Sequence, residues 1–87
     1  MKKYLYIELS VTINGEYEEY ASFLKVTKAK DINKVGESVA ENHYGFDYDE
    51  ELDGYSDGQA VVNCIKVQEI PESDFEVLKK YIKVLDN

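Results

Sequence analysis

Six carboxylates, Asp47, Asp49, Glu50, Glu51, Asp53 and Asp57, fall within the stretch YGFDYDEELDGYSDGQ (residues 44–59), which contains no lysine. Clustered carboxylates offer two kinds of chemistry. They can hold a hard cation through oxygen, or present negative charge to a surface built for phosphate. Asp49, Glu51, Asp53, Gly54, Tyr55 and Asp57 match the first, third, fifth, sixth, seventh and ninth positions of an EF-hand calcium loop, with glycine at the sharp turn. The twelfth position, which calls for a bidentate glutamate, is Ala60. The flanks also differ from the motif, because Gly45 ends the preceding helix and a strand follows. Calcium binding through this segment would therefore be weak, and no metal site is predicted.

The second chemistry fits better. Asp47, Asp49, Glu51 and Asp53 occupy alternate positions, which in an extended segment project on one side about 6.6 Å apart. Such a row suits a cation-lined groove that normally follows a nucleic-acid backbone. Glu37 and Glu41, one helical turn apart, extend the same surface. Tyr44, Phe46, Tyr48 and Tyr55 are interleaved with the acids, and aromatic rings supply contact area at low entropic cost. The predicted partner-binding set is Asp47, Tyr48, Asp49, Glu50, Glu51, Asp53, Tyr55 and Asp57. The competing expectation is an acidic loop that serves only solubility.

Charge is distributed unevenly along the chain. Residues 1–34 carry six lysines and five acids, residues 66–87 four lysines and five acids, and residues 35–65 eight acids with no base. The middle third thus accounts for the whole net charge of −8. All ten basic residues are lysine. With no arginine for bidentate phosphate or base-edge contacts, direct nucleic-acid binding is not expected. His43 and Cys64 are single examples of their kind. Zinc requires more nitrogen or sulfur ligands, and nothing in the sequence brings the two together as a nucleophile and base. No glycine-rich phosphate loop or dinucleotide fingerprint is present. Neither a cofactor nor an enzymatic activity is expected. One cysteine also excludes an internal disulfide, and no apolar run is long enough to span a bilayer, so a cytoplasmic chain without membrane contact is expected.

Eighty-seven residues at 44% hydrophobic content fit one domain, residues 1–87, with a modest core. Leu5, Ile7, Leu9, Val11 and Ile13 alternate with polar or tyrosine positions, as in a half-buried strand. Asn14-Gly15 is a two-residue hairpin signal that would pair Ile13 with Glu16 and Tyr6 with Phe23. In that register Tyr4, Tyr6, Tyr17 and Phe23 share the outer face, a possible second interface for a homodimer. Asp31 caps a helix carrying Ile32, Val35, Val39 and Ala40, and Gly45 closes it. QAVVNCIKVQEI is a third strand of ambiguous inward face. Ser73 and Glu76 form a capping box for a helix whose apolar face is Phe75, Leu78, Tyr81, Ile82 and Leu85. The order β-β-α-β-α predicts an α+β fold: a three-stranded antiparallel sheet of order 2-1-3 with both helices packed on the Leu5/Ile7/Leu9 face.

The pattern YLYIELSVTINGEYEEYASFLKVTKAKDINKVGESVAENHYG…IPESDFEVLKKYI resembles small acidic proteins of phages and mobile elements in low-GC bacteria. In these a β-hairpin, a helix and an acidic loop precede a strand and a short C-terminal helix. Proteins of this style include anti-CRISPR and other anti-defence inhibitors, some of which mimic nucleic acid. The resemblance implies a protein partner with a basic nucleic-acid-binding surface, in the cytoplasm of a bacterial host. It assigns no residues. The alternative expectation is a self-associating structural or accessory protein using the aromatic sheet face.

Overall fold

The computed structural model describes residues 1–85. The three-stranded antiparallel sheet expected from the sequence is overturned: the chain forms one mixed six-stranded sheet with two helices. The elements are β1 (Lys3–Ile13), β2 (Tyr17–Thr27), α1 (Ile32–Tyr44), β3 (Tyr48–Asp49), β4 (Gly54–Ser56), β5 (Ala60–Ile70), α2 (Glu72–Leu78) and β6 (Lys83–Leu85). The spatial order is β3-β4-β5-β1-β2-β6, antiparallel except for β6, which runs parallel to β2.

β1 is central because its alternation supplies the core. Leu5, Ile7 and Leu9 are completely buried and cluster with Val11, Val39, Ala40 and Val62 beneath α1. Burial of each such side chain stabilises by roughly 1.5–3 kcal/mol. Asn14 and Gly15 adopt positive φ, and the Glu16 amide donates to the Ile13 carbonyl, as the hairpin signal requires. The ladder nevertheless starts one residue later, with Ile13 opposite Tyr17. A one-residue shift exchanges the faces of a strand. Phe23 therefore lies opposite Ile7 on the α1 face, and Tyr6 lies opposite Leu24.

The ambiguous inward face of β5 has a physical cause. Glu8 pairs with Lys66 and Leu9 with Cys64, which leaves Ile65 as a bulge. Ala60, Val62 and Cys64 face the core on one side of the bulge, and Val67 does so on the other. The inward parity changes within the strand.

The helices pack on opposite faces rather than on one. Phe75 of α2 is buried, and its ring meets Tyr4 at 5.0 Å, on the side away from Leu5. β2 reaches β3 through α1 on one face, and β5 reaches β6 through α2 on the other. Both connections join parallel strands and step in opposite directions across the sheet, so they share one hand. The expected second helix is also cut short. Pro71 takes the N-cap position without a side-chain cap, so Ser73 and Glu76 lie inside the helix and form no capping box. Lys83–Leu85 become an edge strand beside Phe23–Lys25.

Candidate functional site: an acidic hairpin beside α1

The acidic stretch is not an extended row. Tyr48 pairs with Tyr55 and Asp49 with Gly54, so the chain reverses at residues 50–53 and returns as β4 against β5. Asp49 drives the reversal: one carboxylate oxygen accepts from the Glu51 and Leu52 amides at 2.9 and 3.2 Å. Asp53 takes the left-handed conformation (φ 53°), which Asp tolerates in turns. Its carboxylate accepts the Tyr48 hydroxyl at 2.6 Å. Gly54 is buried, and a Cβ there would lie 2.5 Å from Val61 Cγ1. Asp57 organises the next turn by accepting from the Gln59 and Ala60 amides, both at 2.9 Å. These backbone donors hold its carboxyl below the ordinary value of 3.8.

The eight predicted site residues thus divide by role. Asp49, Asp53 and Asp57 shape turns while keeping their charge at the surface. Asp47, Glu50 and Glu51 make no side-chain hydrogen bond to the described residues. Tyr55 turns towards the core opposite Val62 and supports Tyr48 edge-on at 5.5 Å. Burial, followed by the nearby carboxylates of Glu37 and Glu41, raises the Tyr55 phenol above its ordinary value. α1 therefore adds its Glu37/Glu41 flank to the hairpin, and a recess of about 470 Å³ lies between them, lined by Glu37, Tyr48, Asp53 and Tyr55. Sequence reasoning missed Leu52, which stands half-exposed at the hairpin tip. Its only sequence signal is an apolar residue framed by Glu51 and Asp53.

The second predicted interface is dispersed. Tyr4 is covered by Phe75, and Tyr6 donates to Glu8 at 2.8 Å beside Ser22, both on the α2 face. Tyr17 and Phe23 lie on the α1 face because of the register shift. Phe23 meets the His43 ring at 5.7 Å.

Among the described residues no group of three His, Cys, Asp or Glu side chains is placed to hold a metal ion. The Cys64 thiol donates to the Lys66 carbonyl at 3.6 Å, and burial raises its pKa, which keeps it a neutral thiol. His43 packs against Phe23 and Tyr44 instead. Among the described residues no helix is long and apolar enough to cross a membrane.

Burial lowers the pKa of His43 below 6.5. The unfolded chain therefore takes up a proton near pH 6.5 that the folded chain resists. His43 favours the fold above that pH, and this contribution is lost as pH falls through the folded-state value. Melting temperatures followed from about pH 7.5 to about pH 5 should decline, and His43→Gln should flatten this limb. The chain has no other histidine.

No family model matches the chain, and comparison with curated proteins and with solved structures gives no match either.

Proposed function

We propose that this chain is a binding protein rather than an enzyme. It is a phage-type inhibitor whose acidic hairpin occupies the basic groove of a host nucleic-acid-handling complex, such as a CRISPR effector, in the bacterial cytoplasm. One observation carries the reading. Acids from two separate segments, Asp53 of the hairpin and Glu37 of α1, line a single recess with the Tyr48–Tyr55 pair, and Glu41 lies near enough to act on the Tyr55 phenol. A solubilising loop needs neither the rigid turns nor the aromatic pair. Asp47, Glu50 and Glu51 would speed encounter and set register, while Tyr48 and Leu52 would provide desolvated contact. Tyr55 and the turn-forming aspartates would hold these groups in place.

The test is a nuclease-treated pull-down from bacterial lysate, analysed by mass spectrometry. It compares wild type with Asp47→Asn/Glu50→Gln/Glu51→Gln, which preserves every turn-forming aspartate. Wild type should retain a nucleic-acid-binding protein that the variant loses. Equal retention by both chains would refute the reading.

A further inference from the structure

The flank of α1 opposite the acidic rim has a different character. A groove of about 680 Å³ separates the helix from the β2–β6 edge, a volume within the range of small-molecule sites. Phe23, Val39 and Leu85 supply its apolar surface, and Ser38, Asn42 and His43 present hydrogen-bonding groups from the helix. Asn42 donates to the Ser38 carbonyl at 2.9 Å, which fixes part of that wall. The His43 ring, kept neutral at pH 7 by burial, meets the Phe23 ring edge-on.

Ser38 also borders an adjoining recess of about 420 Å³, lined by Lys25, Lys30 and Lys34 with Asp31 as its one acid. The Asp31 carboxylate already accepts from the Asn33 amide at 3.0 Å. Lys83 completes the basic rim of the larger groove. Among the described residues none of these four lysines forms an ion pair, and Lys79 pairs with Glu76 elsewhere. On the helix, Lys34, Ser38 and Asn42 form one row of i,i+4 neighbours, and the Glu37/Glu41 row lies next to it on the side towards the hairpin. A chain of net charge −8 thus places four lysines, unpaired among the described residues, around one pair of joined recesses.

We propose that the groove binds a phosphorylated small molecule with a planar apolar body, of the nucleotide class. The planar body would lie against Phe23 beside His43, with hydrogen bonds from Ser38 and Asn42. The phosphates would reach Lys25, Lys30 and Lys34. Lys34 and His43 are nine residues apart on α1, which at about 1.5 Å per residue spans about 13 Å. A nucleoside triphosphate covers that length, and inorganic phosphate does not. This site is on the opposite flank of α1 from the acidic hairpin and does not depend on the inhibitor reading.

The test is a titration of isotope-labelled protein, followed by NMR amide shifts, with ATP, adenosine, inorganic triphosphate and a peptide of residues 44–59. ATP should shift Ser38, Asn42 and His43 together with Lys25 and Lys34. Adenosine and triphosphate should each bind at least tenfold more weakly. Lys25→Glu/Lys34→Glu should weaken ATP at least tenfold and leave adenosine binding unchanged. Lys30→Gln/Lys34→Gln, at two exposed positions, provides the same comparison with less risk to folding. Three outcomes would overturn the proposal: no shifts with millimolar ATP, triphosphate binding as tightly as ATP with shifts confined to the lysines, or the acidic peptide binding more tightly than ATP.

Discussion

Neutralising five acids, Glu37→Gln, Glu41→Gln, Asp47→Asn, Glu50→Gln and Glu51→Gln, is expected to leave the fold intact and weaken partner binding by roughly 10²–10³-fold. Glu37 and Glu41 lie beside Tyr55, Asp47, Glu50 and Glu51 belong to the adjoining hairpin segment, and none of the five side chains makes a hydrogen bond that shapes a turn. A charge pair near 4 Å contributes about 1 kcal/mol in a water-like environment, and more where water is excluded. Losing three or four such contacts amounts to about 3–4 kcal/mol, and each factor of ten corresponds to about 1.4 kcal/mol. Most of the effect should be in the association rate, and the variant should lose most of the wild-type salt dependence. Thermal melting before the binding assay separates loss of charge from loss of fold. Removal of Asp49 or Asp57 instead should lower the melting temperature as well, because their carboxylates satisfy backbone donors at the turns.

Gly36→Ala is expected to destabilise the chain, although alanine is the better helix former. A Cβ at position 36 would lie 2.2 Å from Val67 Cγ2 and 2.7 Å from Cys64 Sγ. Val67 is a stiff β-branched residue, and Cys64 adjoins the Ile65 bulge, so neither neighbour yields easily. Overpacking of this kind costs about 1–3 kcal/mol, against about 1 kcal/mol gained in helix propensity. A net loss of up to about 2 kcal/mol should lower the melting temperature by about 4–8 °C for each kcal/mol in a domain of this size. Val67→Ala removes the clashing methyl and should be less damaging in the Gly36→Ala background than in wild type, a coupling that a double-mutant cycle measures. A higher melting temperature for Gly36→Ala alone would contradict the close contact of α1 with β5.

The central elements were legible where one strong local signal acted alone. The alternation of Leu5, Ile7 and Leu9 marked β1, and Asp31 and Gly45 delimited α1 as their capping chemistry predicts. The Asp31 side chain accepts from the Asn33 amide, and Gly45 has φ 77°. The sheet departs from its local signals where tertiary pairing decides the outcome. Asn14-Gly15 signalled the turn correctly, but the added loop residue Glu16 reversed the faces of β2. The hairpin within the acidic stretch carries no two-residue turn signal: an Asp53-Gly54 turn would pair Leu52 with Tyr55, whereas Gly54 is a strand residue paired with Asp49 and the reversal spans residues 50–53. Tyr81, Ile82 and Leu85 fit a helical period, yet the helix ends at Leu78 and pairing with β2 makes a strand of Lys83–Leu85. The candidate site could be located from charge alone. Its division into turn-forming aspartates and free carboxylates depended on hydrogen bonds that no spacing rule reveals.

Competition with nucleic acid for the captured partner tests the central claim most directly. The partner would be loaded with fluorescently labelled nucleic acid and titrated with the chain at fixed salt, with anisotropy as the readout. The account predicts full displacement by wild type, with the apparent affinity for nucleic acid falling in proportion to the concentration of added chain, and little displacement by the five-acid variant. A stable ternary complex of partner, nucleic acid and chain would contradict it, because the hairpin would then be bound somewhere other than the groove.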